Sequence, residues 1–293
     1  MTVLQDATAA SHTCTVPVSD EQLWEVTAEY LAAGLRAGEH VVYFDDGTIA
    51  SVMERLDDDG VAFRGCLERG QFAVVPAEVT RSILGGSPAG VLDALDRSID
   101  DALGRGFPAV RLTGDTAFAL THADGVPMLE YEAGIDRMLG DRPARLLCRF
   151  DRERFPEDAI ARLRALHHTE ITAPAIYDDS VLRMSSPRPT VLRLAGEVDH
   201  SNRPLIKRGL ETALDEALRS RSSSSEITLD LASLRFIDVA GAVSLVHTAE
   251  EFPSTHRLVL TGVRPSVMRL LDRCGAPFAS QLRVDPREVE ERP

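Results

Sequence analysis

The sequence has few positive charges, few cysteines and no long apolar run, and each shortage excludes a class of protein. Its 293 residues carry 32 Lys and Arg against 46 Asp and Glu, a formal net charge of −14, and Lys207 is the only lysine. This excess of acid opposes non-specific binding to nucleic acid and to anionic membranes. No apolar run approaches the roughly 20 residues that span a bilayer. We therefore expect no direct contact with nucleic acid or with a membrane.

The four cysteines are scattered along the chain and form no paired motif. Cys14, Cys66, Cys148 and Cys274 lie far apart, without a CxxC pair. Such spacing is typical of reduced thiols in a cytoplasmic protein and not of a disulfide framework. The residues MTVLQDATAASH at the start also lack the basic and apolar regions of a signal peptide. The sequence thus predicts a cytoplasmic protein.

Apolar and amphipathic segments alternate along the first half of the chain. Strand-like runs such as HVVYFDD (40–46) and AVRLTGD (109–115) are separated by segments with helical periodicity. This alternation predicts a parallel α/β sheet, in which ligands lie at the carboxyl ends of the strands. The polar residues predicted at those ends are Asp45, Asp46, Thr113, Asp115 and Asp151.

The second half has its own pattern of strands and helices. The periodicity fails at 169–187, where prolines and serines predict a linker. Beyond it, EITLDLASLRFID (226–238) predicts a strand with a turn in its middle, and a helix follows at 240–252. A chain of this length fits two domains with separate cores. We expect domains at 10–168 and 188–286.

One group of candidate site residues lies on the predicted sheet of the first half. His12 and Cys14 alternate on the first strand and so face the same side. With Cys148 and the pair His167-His168, they could form a metal site, a haem site or a redox pair. Because the usual metal-binding spacings are absent, we predict no metal: the cysteines pack in the sheet and the histidines cover its end.

A second group of candidates centres on Arg111. Glu130 and Glu132 could come close to Arg111 and, with Asp115, form a pocket for an unknown small ligand. The alternative is a structural ion pair that holds a helix to the sheet. Asp45 either belongs to such a site or is a turn residue. No Ser/His/Asp set or carboxylate pair predicts catalysis, so we expect neither an enzyme nor a bound cofactor.

Three motifs of the second half occur in a characteristic order: GEVD, LDLASLRFIDVAGAVSLV and LTGVRPSVMRLLDRCG. This order resembles the STAS domain of anti-sigma factor antagonists. The resemblance implies an α/β fold that binds an anti-sigma factor, itself a serine kinase. In that family, phosphorylation of a hydroxyl residue at the start of a helix releases the partner.

The phosphoacceptor position departs from the family pattern. Family members read D-S-S-G or D-T-S-G, whereas this chain reads Asp238-Val239-Ala240-Gly241. Alanine cannot be phosphorylated, and Ser244, one turn later, is either a substitute acceptor or a packing residue. The resemblance implies that this junction contacts the partner together with a polar loop before Pro204. The loop residues are Glu197, Asp199, His200, Ser201 and Asn202, of which Ser201 or Asn202 could also cap the next helix.

The first half resembles the MEDS sensory domain of bacterial regulators. Four segments carry the resemblance: SHTCTVPVSDEQLWEVTAEYLAAGLRAGEHVVYFDD, GFPAVRLTGDTAFA, MLEYEAGIDRML and ARLLCRFDRERFPEDAIARLRALHH. It implies a degenerate RecA-like α/β fold. The place of a phosphate-binding loop holds only VPVSD, and GxxxxGK[ST] is absent, so nucleotide hydrolysis is not expected.

Together these features predict a cytoplasmic bacterial regulator that senses a signal through the first domain and binds an anti-sigma factor through the second. Three other hypotheses stay open. The chain could be a homo-oligomeric scaffold subunit of a multi-protein stress complex. It could also be a sensor of a small ligand or nucleotide that does not switch partners, or an enzyme acting on such a compound.

Overall fold

The structure is a computed structural model that describes residues 11–84, 86–115, 126–152, 155–219 and 225–287. The chain divides into two compact units, the first ending at Ala173 and the second beginning at Pro174. Among the described residues, no helix combines the length and the apolar character needed to cross a membrane.

A six-stranded parallel sheet forms the centre of the first unit. Its strands are β1 (His12–Thr15), β2 (His40–Phe44), β3 (Phe72–Val75), β4 (Val110–Asp115), β5 (Ala144–Arg149) and β6 (Thr169–Glu170). They lie in the order β3-β2-β4-β5-β1-β6. The helices between them are α1 (Asp20–Arg36), α2 (Ile49–Asp58), α3 (Arg64–Glu68), α4 (Ala77–Leu84), α5 (Pro88–Gly104), α6 (Val126–Leu139) and α7 (Glu157–Ala165).

The start and end of α1 follow from local sequence signals. Ser19 caps the helix because its hydroxyl oxygen accepts a hydrogen bond from the backbone N–H of Gln22 at 3.2 Å. Asp20 and Glu21 add negative charge to the first turn, where the helix dipole favours it. Gly38 follows the last turn with a φ of 73°, which is a conformation that glycine adopts without strain.

The sheet of the first unit is buried on both faces, and alternate residues of each strand face opposite layers of helices. Leu112 of β4 and Cys148 of β5 pack in a core cluster with Ile135 of α6. Leu147, the neighbour of Cys148, packs instead against Tyr30 of α1. The face covered by α1 and the face covered by α6 therefore hold different side chains of the same strands.

A mixed sheet forms the second unit. Its strands are β7 (Tyr177–Asp178), β8 (Leu182–Arg188), β9 (Val191–Val198), β10 (Glu226–Ile237), β11 (Arg257–Val263) and β12 (Leu282–Pro286). They lie in the order β12-β11-β10-β9-β8-β7, with β9 to β12 parallel and β7 and β8 antiparallel to their neighbours. The helices are α8 (Arg203–Arg219), α9 (Val239–Glu250) and α10 (Pro265–Arg273), followed by a 3₁₀ turn (Ala276–Phe278).

The helices of the second unit share one apolar core with the sheet. Leu210 of α8, Leu245 of α9 and Leu271 of α10 belong to the same buried cluster as Leu229 of β10. At the surface, the Lys207 ammonium of α8 lies 2.8 Å from the Glu251 carboxylate that follows α9. The predicted fold class is confirmed: a parallel α/β sheet is followed by a second α/β domain with helices packed on its sheet.

The segment expected to be a linker, 169–187, contains β6, β7 and most of β8. Strand β6 pairs with β1 of the first sheet, and the β7–β8 pair extends the second sheet. Because β6 and β7 have two residues each, they are too short to show the alternation on which a strand prediction rests. The second sheet thus begins before residue 188.

Candidate functional site

Four side chains with metal-binding atoms come together in the first unit, on the face of the sheet that α6 covers. They are His12 of β1, Glu132 of α6, Cys148 of β5 and His167, which follows α7. Their ligand atoms all lie within 4.8 Å of one another. All four side chains are inaccessible to solvent. We call this set the four-residue cluster.

The fold explains why these residues meet. Strands β1 and β5 are neighbours, with His12 beside Leu146 and Cys14 beside Cys148. Alternate residues of both strands therefore face α6. On α6, Glu132 and Asp136 are four residues apart and so lie on the same side of the helix. Asp136 contacts His12 as well, with 2.8 Å between its Oδ1 and Nδ1 of the imidazole.

The distances inside the four-residue cluster are short. The Glu132 Oε2 atom lies 3.1 Å from His12 Nε2 and 3.4 Å from His167 Nε2. The Cys148 Sγ atom lies 3.4 Å from the same carboxylate oxygen and 3.6 Å from His12 Nε2. The two imidazole rings have their centroids 4.1 Å apart. One carboxylate oxygen is thus shared by three neighbours.

Burial and mutual contact shift the pKa values of the cluster. Burial alone would raise the pKa of Glu132, but its polar contacts with His12 and His167 and the positive charge on those rings outweigh burial and lower that pKa. Burial opposes the charged form of His167, yet the neighbouring Cys14 and Glu132 raise the pKa of His167 to about 10. Burial, and then Glu132, raise the pKa of Cys148 well above its ordinary value. The cluster therefore stabilises a cation beside the carboxylate.

Two polar atoms of the cluster have no hydrogen-bond partner among the described residues. They are the second carboxylate oxygen of Glu132, Oε1, and the Nε2 atom of His167. Buried polar atoms in this state are costly and are uncommon in folded proteins. Both belong to side chains of the four-residue cluster, so the site offers more ligand atoms than its internal hydrogen bonds use.

The structure corrects the expected grouping of Arg111 with Glu130 and Glu132. Arg111 lies on the α1 face of the sheet, where its Nε donates to Glu39 Oε2 at 2.6 Å and its Nη1 donates to the Tyr30 carbonyl at 3.1 Å. Glu132 lies on the α6 face, and Glu130 is exposed. Because successive residues of a strand point to opposite faces, Leu112 and not Arg111 faces α6. Arg111 forms the structural ion pair that was the alternative interpretation.

The other ligand candidates of the first unit have separate positions. Asp45 is a turn residue, since its Oδ1 accepts hydrogen bonds from the backbone N–H groups of Gly47 at 2.8 Å and Ile49 at 3.1 Å. Cys14 is buried beside Cys148 in the same core cluster. The side chain of Asp115 lies outside the described part of the structure.

In the second unit, Asp238 caps α9. Its Oδ1 accepts a hydrogen bond from the backbone N–H of Gly241 at 2.6 Å. Val239 and Ala240 are exposed, whereas Ser244 is half-buried one turn further along. Gly241 is buried, and a Cβ atom there would lie 2.9 Å from the Ile237 side chain and 3.0 Å from the capping oxygen. Gly241 therefore permits the close approach of β10, the cap and the end of β9 at this junction.

The polar loop after β9 lies beside this junction. The backbone N–H of Asp238 donates to the Val198 carbonyl at 3.1 Å, and Arg203 Nε lies 3.9 Å from Asp238 Oδ2. Asp199 Oδ1 accepts hydrogen bonds from both the N–H and the hydroxyl of Ser201. The loop and the junction are therefore one continuous region.

Asn202 is bonded to the backbone of its own loop. It is fully buried, its Oδ1 accepts from the Asp199 N–H at 3.0 Å, and its Nδ2 donates to the Glu197 carbonyl at 3.0 Å. An amide buried in this way shapes the loop. Glu197, His200 and Ser201 are exposed.

Sequence reasoning missed Phe236 and Arg203 beside the junction, and it missed the exposed Phe278 in the 3₁₀ turn. Phe236 is 50% exposed and Phe278 is 88% exposed. A register shift between Leu234 and Phe236 breaks the alternation of β10 and turns Phe236 outward, which a period-of-two pattern does not show.

Two family models match the chain. The model described as "MEthanogen/methylotroph, DcmR Sensory domain" (MEDS) matches residues 11–168, and the STAS domain model matches residues 183–288. Both are regulatory or sensory families, so the fold and the sites belong to a two-domain regulatory protein. The chain belongs to the MEDS family, and a STAS domain follows its MEDS domain.

Other comparisons add little. The chain is similar to the crystal structure of flagellar accessory protein FlaH from Methanocaldococcus jannaschii, at 10% sequence identity and a TM-score of 0.44, over 66% of this chain and 83% of that chain. A comparison with curated proteins gave no match.

Proposed function

We propose that this protein is a cytoplasmic bacterial regulator whose MEDS domain receives a signal and whose STAS domain binds an anti-sigma factor of the serine-kinase type. Binding sequesters the anti-sigma factor and frees a sigma factor. The two matched families and their order support this proposal. All four cysteines are free thiols, which suits a reducing compartment.

The start of α9 carries the proposal. Val239 is 62% exposed and Phe236, three residues earlier, is 50% exposed. Exposed apolar side chains rimmed by polar residues are typical of protein-binding sites. Here the rim consists of Glu197, Asp199 and His200 on the adjoining loop. We call Phe236, Asp238, Val239, Ala240 and these three loop residues the junction surface.

Ala240 sets the mode of regulation in this proposal. It is exposed at the first turn of α9, where the family places its phosphoacceptor, and it has no hydroxyl group. Phosphate at that position would add about 1.5 to 2 negative charges next to Asp238 and the acids of the loop. Without that modification the junction surface stays competent to bind, and control passes to the MEDS domain.

The test is partner binding by the full chain. Val239→Arg should weaken binding to a serine-kinase anti-sigma factor of the same organism at least tenfold, because the new cation is placed in the apolar centre of the contact. Isothermal titration calorimetry measures this change. Leu218→Arg is the matched control, since Leu218 is also a helical residue and is 53% exposed, but lies near the far end of α8.

Two results would reject the proposal. One is that the wild-type chain binds none of the serine-kinase anti-sigma factors encoded with it. The other is that Val239→Arg and Leu218→Arg bind a partner equally well, which would mean that the contact lies elsewhere.

A further inference from the structure

The four-residue cluster has the composition of a transition-metal site. It brings two imidazoles, one thiol and one carboxylate to one point without access to solvent. Thiolate and imidazole ligands favour zinc and its neighbours in the first transition series over magnesium or calcium. We propose that the MEDS domain binds one such ion, with Zn²⁺ the best fit, through Nε2 of His12, Nε2 of His167, Sγ of Cys148 and the carboxylate of Glu132.

The hydrogen bonds outside the cluster leave the correct nitrogen atoms free. His167 Nδ1 lies 2.7 Å from the Leu163 carbonyl oxygen, and His12 Nδ1 lies 2.8 Å from Asp136 Oδ1. Because both partners are acceptors, we assign the Nδ1 proton to each ring, which leaves a lone pair on each Nε2. Support of a metal-bound histidine by a carboxylate or carbonyl is the usual arrangement around zinc.

Inside the cluster, the acceptor atoms of His12, His167 and Glu132 repel one another unless a proton or a metal ion lies between them. With its proton on Nδ1, His12 presents an acceptor at Nε2, and the nearest atom at 3.1 Å is the acceptor Oε2 of Glu132. His167 Nε2 and Glu132 Oε1 have no hydrogen-bond partner in the described ranges. A metal ion satisfies these acceptors together, whereas a proton between two of them satisfies only that pair.

The separations between the atoms agree with tetrahedral coordination. With bond lengths of about 2.0–2.2 Å to nitrogen and oxygen and about 2.3 Å to sulfur, a tetrahedral zinc site has edges of about 3.3–3.7 Å between ligand atoms. Four of the six edges are measured here, at 3.1, 3.4, 3.4 and 3.6 Å. The other two edges are no longer than 4.8 Å, so shifts of the side chains alone bring the four atoms to tetrahedral spacing.

The charges also balance. A thiolate and a carboxylate contribute two negative charges, which a divalent ion neutralises in a site that water does not reach. When the ion binds, the Cys148 thiol proton leaves to solvent, and so does any proton held between the imidazoles and Glu132. Metal binding thus replaces protons, and no oxidation or reduction is involved.

This inference deepens the sensory half of the proposed function by naming the class of ligand that the MEDS domain takes. Its four ligands come from β1, α6, β5 and the segment after α7, so occupancy fixes these elements to one another. Metal binding is measured on the full chain without any partner protein. It can therefore fail while anti-sigma factor binding succeeds, and the reverse is also possible.

The experiment uses the full chain, stripped of metal with a chelator and titrated with Co²⁺ and then Zn²⁺. We expect one equivalent of Co²⁺ to give the intense visible bands of tetrahedral coordination and a thiolate charge-transfer band, both lost when Zn²⁺ displaces it. Cys148→Ser should abolish the charge-transfer band and weaken Zn²⁺ binding at least tenfold. Cys66→Ser should leave both unchanged, because Cys66 is also buried in the first unit but lies in a different core cluster.

A second variant keeps the test valid if Cys148→Ser fails to fold. Asp136→Asn replaces the carboxylate that supports His12, and that also lies 3.8 Å from His168 Nε2, without touching a ligand atom, and should weaken Zn²⁺ binding by about 10- to 100-fold. The inference is overturned if the wild-type chain shows no stoichiometric endpoint with either ion. It is also overturned if the Co²⁺ complex lacks the charge-transfer band, or if folded Cys148→Ser retains that band.

Discussion

At the scale of single residues, the start of α9 contains residues that the fold requires and one residue, Ala240, that the fold does not constrain. Asp238 and Gly241 are fixed by the helix cap and by the crowding around Gly241, so neither can change without disturbing the junction. Ala240 lies between them and is exposed, so it tolerates other side chains. The absence of a hydroxyl at this one position therefore has no structural cause in the cap itself.

This freedom gives a prediction for Ala240. Ala240→Ser should fold normally and become a substrate for the cognate serine kinase, since serine is tolerated in the first turn of a helix and its hydroxyl is accessible there. Mass spectrometry after incubation with the kinase and ATP should find one phosphate on the peptide that contains residue 240, and none in the wild type. Ala240→Asp should weaken partner binding because it places a negative charge beside Asp238.

The wild-type chain is the control for phosphorylation, and it also tests Ser244. Phosphate on Ser244 of the wild-type chain would show that Ser244, one turn further along the helix, is the phosphoacceptor. If Ala240→Asp leaves partner binding unchanged, Ala240 is not part of the junction surface.

At the scale of elements, the two faces of the first sheet have different roles. On the α1 face, Arg111 of β4 and Arg145 of β5 both contact Glu39, with 2.6 and 2.7 Å between the paired atoms. The Arg111 guanidinium also lies over the Tyr30 ring. On the α6 face lies the four-residue cluster. An ion-pair network thus holds α1 to the sheet, while the cluster lies under α6.

We predict that Glu39→Ala lowers the free energy of unfolding of the first unit by about 3–5 kcal/mol, because it leaves the buried Arg111 without its carboxylate partner. Urea unfolding followed by tryptophan fluorescence measures this loss, since Trp24, the only tryptophan, lies in α1. Glu29→Ala removes the partner of Arg36, a pair whose arginine is 59% exposed, and should cost less than about 1 kcal/mol. Equal losses from both variants would contradict a structural role for Glu39.

The sequence predicted which segments form strands and helices better than it predicted which face of the sheet each side chain occupies. Long strands and helices were identified because their apolar periodicity is strong, and His12, Cys148 and His167, which were grouped from the sequence as one possible site, lie together in the structure. Glu132 was assigned to Arg111 instead. In a strand buried on both faces, the run AVRLTGD does not show which face Arg111 occupies, and the rotation of α6 about its axis is fixed only by packing. The two-residue strands β6 and β7 carried no readable pattern.

At the scale of the whole molecule, the chain joins a unit with a buried ligand cluster to a unit with an exposed binding surface. Each has its own core, as its separate apolar clusters show. Ligand binding to the native state of one unit raises the stability of that unit directly. Metal addition is therefore expected to raise the stability of the first unit directly, and any effect on the second unit is secondary.

This difference can be measured by chelation. Zn²⁺ at a free concentration of 100 times its dissociation constant should raise the free energy of unfolding of the first unit by about 2.7 kcal/mol, and chelator should reverse the change. Trp24 fluorescence reports this transition because no tryptophan lies in the second unit. The Cys66→Ser variant should respond like the wild type. If Zn²⁺ does not shift the unfolding midpoint, the cluster binds protons and not the metal ion.

The ion pair between Lys207 and Glu251 marks a position at which the STAS domain can be labelled. Because the chain has a single lysine, an amine-reactive fluorophore or crosslinker attaches to one side chain, on α8 of the STAS domain. The lysine is 40% exposed and its nearest carboxylate belongs to the residue after α9. Labelling at this amine therefore provides a spectroscopic reporter beside the helix whose other end begins the junction surface.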